Sequence, residues 1–211
     1  KETIAGYRYT SRKLAPKGFA VRSPGYGKTH LQYLLDIGFL CRLGYEVLAY
    51  DQYGTGMSSG RAMGGLFRGR LTLEAVLSDV ASRHIAGKLP LVLYGHSWGG
   101  YSVLSVLGKH TEVTKAVARA PVGDPARGPV WAGRFLLGVF LVHLLGFFAP
   151  AFALLCHGPK GLCKAWIFAG ENTTPEVLIT RSAQDAVVPA IVSPDRYFTR
   201  HPQPKLHLRE W

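Results

Sequence analysis

The sequence predicts an α/β chain built on a mostly parallel, doubly wound sheet, and three observations predict it. Short runs rich in β-formers alternate with longer segments of helical spacing along most of the 211 residues. Runs exit into glycine-rich or turn-rich loops, as at "SPGYG" and "DQYGTGMSSG". In "LPLVLYGHSWGGYSVLSVLG" an apolar run breaks at one serine between glycines, and a second apolar run follows at once.

"FAVR" (19–22) is a strand ended by the turn-rich Ser23-Pro24-Gly25-Tyr26-Gly27. His30 to Leu43 has helical spacing, with Leu31, Leu34, Leu35, Gly38 and Phe39 on one face, and Gly44 stops it. "YEVLAY" (45–50) is a strand, and 51–60 is its exit loop. Leu71 to Ile85 is a second helix, with Leu73, Val76, Leu77 and Val80 on one side. "LVLY" (91–94) is a third strand, followed by the serine joint and a helix to about Leu107. "KAVARA" (115–120), "EVLIT" (176–180) and "KLHLRE" (205–210) are further strands. Helices then cover both faces of the sheet, and a ligand lies beyond the carboxyl ends of the strands. That edge carries the loops at 23–30, 51–60, 95–99, 121–128 and 181–188.

With 47% hydrophobic and 18% charged residues the chain has ample material for a core, which argues against disorder. Lys and Arg outnumber Asp and Glu by 25 to 13. No helix-spaced basic stripe or nucleic-acid motif accompanies that excess, so it is read as a solvated basic face with no nucleic-acid partner. Cys41, Cys156 and Cys163 have no metal spacing, and no CxxC or HxxxH pair exists, so no metal is expected. Three free thiols suit a reducing compartment, which places the protein in the cytoplasm, with membrane association as the alternative. The start Lys1-Glu2-Thr3 has no hydrophobic signal region, so a secretory peptide is expected to be absent or removed.

A Gly-x-Ser-x-Gly between a buried strand and a helix makes a sharp turn that lifts the serine to the top of the sheet. Ser97 then stands at a helix N-terminus, where the next backbone N–H, that of Trp98, can face a developing oxyanion.

From about Phe19 to Trp211 the chain resembles the α/β-hydrolases, close to the small-capped esterase, monoacylglycerol-lipase and serine-peptidase branches. "GHSWGG" (95–100) resembles the nucleophile elbow, which implies Ser97 as nucleophile. "SPGYG" (23–27) stands where the family has His-Gly-x-Gly, with Pro24 in place of the histidine, and implies the Tyr26 N–H as second oxyanion donor beside Trp98. "YDQYGTGMSSG" (50–60) resembles a family loop in which the position of Asp51 is structural. "VLITRSAQDAVVP" (177–189) resembles the strand-then-acid segment and implies Asp185 as the triad acid. Asp185 also follows a strand at its carboxyl end, beside the apolar Ala186-Val187-Val188-Pro189, and such an acid orients an imidazole. Asp124, after "KAVARA", is the rival acid.

The resemblance implies a histidine after the last strand, and the chain ends at Trp211 before one. His201 precedes that strand, His207 lies within it, and His96 adjoins the serine on a turn where neighbours point apart. His30, at the right edge, is the unusual candidate; His84, His110, His143 and His157 have no supporting motif. The expectation is therefore a chain that lacks its true C-terminus, with a base-less binding protein of the same fold as the alternative.

From Phe135 to Pro159 no charged residue appears, long enough on paper to span a bilayer. Gly138, Gly146 and Pro150 interrupt the stretch, and a span there would part Ser97 from Asp185. It is read as a small helical cap between elbow and acid, with peripheral membrane contact through the cap as the alternative. The expected organisation is a hydrolase core over 1–123 and 175–211 with the cap at 124–174. The expected activity is that of a serine ester hydrolase acting on an acyl or lipid-like ester, without cofactor. A peptidase or thioesterase using the same residues is the alternative.

Overall fold

The computed structural model describes residues 2–128, 146, 148–165 and 175–210. Much of the expected cap, 124–174, lies outside these residues. The strands are β1 (Gly6–Tyr9), β2 (Gly18–Ser23), β3 (Tyr45–Tyr50), β4 (Leu91–His96), β5 (Val113–Arg119), β6 (Glu176–Arg181) and β7 (Leu206–Glu210). The helices are α1 (Leu34–Arg42), α2 (Leu66–Ser82), α3 (Trp98–Val106), α4 (Phe148–His157) and α5 (Asp195–Arg200).

The strands form one open sheet in the order β1-β3-β2-β4-β5-β6-β7. All neighbours are parallel except β1, which runs antiparallel to β3 with Gly6 opposite Tyr50. This is the doubly wound α/β sheet expected from the alternation of elements. Phe19, Val21, Leu93, Ala118 and Ile179 pack one face against α2 and α3, with Leu73, Leu77, Tyr101 and Leu104 in the same core. Ala20, Val47, Ala49 and Val92 pack the other face against Ile37 of α1. Alternate residues of β2 therefore serve opposite cores, as the pleat requires.

Three features differ from the sequence-based expectation. First, β1 is an edge strand of four residues, Gly-Tyr-Arg-Tyr, half-buried at Tyr7 and Tyr9, and too short and polar for a strand signal. An Arg8–Glu46 ion pair fastens it to β3. Second, Leu31, Leu34, Leu35 and Phe39 face outward, while Ile37 is buried. The segment opens as a 3-10 turn (His30–Tyr33) before α1 begins, so a 3.6-residue phase does not carry through it. The small side chains of Ala20 and Ala49 receive Ile37. Third, α2 starts at Leu66, with Leu66 and Phe67 buried. Gly64 and Gly65, at φ +73° and +82°, swing the chain into the helix. Gly69 within it, a breaker on paper, allows close approach to α3: a Cβ there would lie 2.5 Å from Trp98 Nε1. That indole instead donates to Leu66 O at 2.7 Å. The short α5 carried no periodic signal in the sequence.

Among the described residues, no helix is long and apolar enough to cross a membrane.

Candidate active site

Strand β4 ends at His96 and α3 begins at Trp98, so Ser97 alone makes the turn, at φ 55° and ψ −115°. That conformation is costly for a non-glycine residue and persists only where its surroundings enforce it. The enforcing contacts are backbone ones: Ser97 N–H donates to Arg119 O at 2.9 Å, and Ser97 O accepts from Val122 N–H at 3.3 Å. Gly95 and Gly99 flank the turn because a Cβ at either would lie 2.2 Å from a backbone oxygen, of Gly99 and Ser23 respectively. The Ser97 side chain does not cap α3.

The exit of β2 runs beside this turn. Lys28 N–H donates to Gly25 O at 3.2 Å, and Gly27 at φ +68° occupies the third position of that turn. The amide of Tyr26 takes no part in the closing bond. The Trp98 amide, first in α3, has no acceptor four residues back within the helix. The Tyr26 ring lies 5.0 Å from that of Trp98, which is fully buried.

Both residues line a cavity of about 460 Å³ together with Ser97, Leu66, Phe67, Val122, Phe152, His157, Val187 and Val188. The wall is overwhelmingly apolar, and Phe152 and His157 come from α4, within the segment expected as a cap.

A buried cation sits near the end of β2. The Arg22 guanidinium stands 3.9 Å from the centre of the Tyr33 ring and 4.6 Å from that of Tyr94. Its Nη2 donates to Asp36 at 3.0 Å. The Tyr33 hydroxyl accepts from Gly25 N–H at 2.9 Å and lies 3.0 Å from His96 Nδ1. Burial holds His96 neutral: it pushes the imidazole from 6.5 down to about 4, helped by Arg22 and Arg119 and opposed by Asp36 and Asp185. A base whose pKa is depressed by folding binds its proton more readily in the unfolded chain. His96 therefore contributes stability fully present above pH 6.5 and lost as pH falls toward about 4. Urea unfolding across that window is expected to show a loss on the order of 2–3 kcal/mol from this group. His96→Gln should flatten it.

Asp185 follows β6, two strands from β4 at the same sheet edge. Its Oδ1 accepts the amides of Val187 and Val188, each at 2.9 Å. Both valines line the cavity with Ser97. The rival Asp124 is buried, accepts the amides of Ala126 and Arg127, and lines a different cavity.

No described histidine is hydrogen-bonded to Ser97 or Asp185. His30, the unusual candidate, is buried: its Nδ1 lies 2.8 Å from Asp51 Oδ1 and its ring stacks on Tyr7 at 3.5 Å. Asp51 also accepts Met57 N–H and the Tyr7 hydroxyl, and so organises its loop. Burial pushes the Asp51 carboxyl up, but the hydrogen bonds from His30 and Met57 outweigh it and hold the carboxyl below its usual range. His207 lies on β7 near Glu176, and the His201 ring lies 4.5 Å from that of Tyr197, tilted by 36°. His110 pairs with Glu112, and His143 lies outside the described residues. His157, which no sequence motif supports, lines the Ser97 cavity, its ring 5.3 Å from that of Phe67 and its Nε2 3.0 Å from Gly64 O. Its position at the close of a charge-free apolar run was the available signal.

Among the described residues no group of His, Cys, Asp and Glu could hold a metal ion.

Residues 15–181 match the family described as serine aminopeptidase, S33. A search of curated protein sequences found no match. Among solved structures, a soluble variant of monoglyceride lipase from Saccharomyces cerevisiae, in complex with a substrate analog, superposes with a TM-score of 0.69 at 18% identity, over 100% of this chain and 82% of that one. A Pyrococcus furiosus esterase gives 0.72 at 18% identity, over 99% and 82%. Est1E from Butyrivibrio proteoclasticus, with ferulic acid bound, gives 0.73 at 19% identity, over 100% and 86%. The match over most of the sequence, on an open sheet shared with these folds, makes the chain a member of the serine aminopeptidase S33 family of α/β-hydrolases.

Proposed function

We propose that the protein is a serine hydrolase of small ester substrates with an apolar acyl group. The observation that carries this reading is Ser97, held at positive φ between a buried strand and a buried helix and lining an apolar cavity. In this reading Ser97 attacks the acyl carbon, and the Trp98 and Tyr26 amides receive the oxyanion. Asp185 orients the imidazole that takes the serine proton, and water then releases the acyl group. The base is a histidine brought to Asp185 by contacts other than those described. This acyl transfer calls on no metal or organic cofactor. The segment 124–174 acts as the cap, with α4 supplying the cavity wall at Phe152. The lipase solved with a substrate analog and the protein solved with ferulic acid support a small-molecule substrate.

Reaction with a fluorophosphonate probe tests the proposal. The native protein is expected to label at Ser97 and to turn over short p-nitrophenyl esters, and Ser97→Ala to do neither. A folded native protein that never labels would overturn it. With no described histidine bonded to Ser97 or Asp185, the second reading is a binding protein of the same fold, which would hold apolar ligands in the cavity without labelling.

A further inference from the structure

We propose that a second cavity, of about 280 Å³, is a binding site for a phosphate-type dianion, with phosphomonoesters as its ligand class. Among the described residues it shares no lining residue with the Ser97 cavity. Arg196 and Arg200 enter it from α5, four residues apart and so on one side of that helix. Arg127 and Lys164 enter it from other segments. Asp124 is the carboxylate among the described lining residues, 3.9 Å from Arg127 Nε and 3.7 Å from Lys164 Nζ. It is 3% exposed and already accepts two backbone amides. The nearby Asp195 is committed to Arg181. Among the described residues no carboxylate pairs with Arg196 or Arg200. Among the described residues Arg196 and Arg200 thus face this hollow without a carboxylate of their own, and an incoming anion relieves their mutual repulsion.

A second observation is independent of charge. Ser193 lines the same cavity, is 3% exposed, and its Oγ has no hydrogen-bond partner among the described residues. A buried hydroxyl without a partner is unfavourable, and an anion oxygen in the cavity would accept its proton. A phosphomonoester carries close to two charges near neutrality and offers oxygens that fit guanidinium forks. A carboxylate would offset half as much of the surplus.

The ligand is either a soluble phosphomonoester or a phosphomonoester headgroup in a lipid surface, and the experiment separates them. Glycerol 3-phosphate is titrated calorimetrically into the native protein, and vesicles of phosphatidylcholine with and without phosphatidic acid are tested by flotation. Saturable binding of glycerol 3-phosphate, weakened about tenfold by Arg196→Gln and by Arg200→Gln, is expected for a soluble ligand. Flotation that needs phosphatidic acid and is lost in the same variants assigns the lipid source. Both arginines are exposed, so the variants should unfold at the native temperature, and Arg12→Gln should bind as the native protein does. Absence of binding in both arms, or binding indifferent to both arginine variants or equalled by sulfate at matched ionic strength, would overturn the proposal.

Discussion

Gly99→Ala is expected to lose about 3 kcal/mol or more of folding stability, whereas Gly38→Ala is expected to gain roughly 0.5–1 kcal/mol. The two sites differ in what a methyl group would meet. At Gly99 the added carbon lies 2.2 Å from Ser23 O and 2.7 Å from Pro24 O. Both are backbone atoms of the β2 exit, and no side-chain rotation clears them. Relief requires α3 to move off the sheet or the 23–27 loop to move out, and either disturbs the cavity beside Ser97. At Gly38, within α1, the nearest atom is the tip of the flexible Arg42 side chain at 3.8 Å, so alanine simply favours the helix. Urea unfolding of the two variants gives the comparison. A Gly99→Ala protein as stable as the native one would show that the strand–turn–helix packing is looser than described.

Asp36→Ala is expected to cost roughly 3 kcal/mol, and Arg22→Met combined with it to recover part of that loss. Arg22 is 1% exposed, so the lone alanine variant leaves a buried cation without its carboxylate. Burial already pulls the Arg22 pKa down, and Asp36 is the leading influence against that pull. Arg119, 3.7 Å from Asp36, adds a second cation that would lose its partner. Removing both members of the buried pair replaces an unpaired charge with an apolar chain between two tyrosine rings. A double variant whose loss equals the sum of the two single losses would show that the pair is not coupled. Tyr33, stacked on Arg22, also bonds Gly25 N–H, so Asp36→Ala should loosen the 23–27 loop as well.

The central strands were legible because each carries a run of buried apolar residues next to a turn rich in glycine, proline or polar residues. β2 to β6 fall within two or three residues of their expected bounds. Ser97 was legible for a related reason: its two glycines answer to backbone contacts that admit no other residue. What escaped depends on partners distant in sequence. β1 is a strand only because β3 offers it an edge. The leucines of α1 that share a face in the sequence point outward, because the 3-10 turn before α1 shifts the phase. His157 gained its place from Gly64 and from Phe67 of α2, ninety or more residues earlier. The basic cavity was invisible because its cations come from three separate segments, and a net charge of +12 hides such convergence.

The strand order also governs how the molecule comes together. β2 must pair with β3 on one side and with β4, some seventy residues further along, on the other. The β2–β3 unit is complete early in synthesis, while one flank of β2 stays open until β4 has emerged from the ribosome. Long parallel closures of this kind are slow and leave apolar edges accessible while they wait. During recombinant production, slower elongation or chaperone supply should therefore raise the yield of native chain by protecting the open flank of β2, with Phe19 and Val21, from self-association.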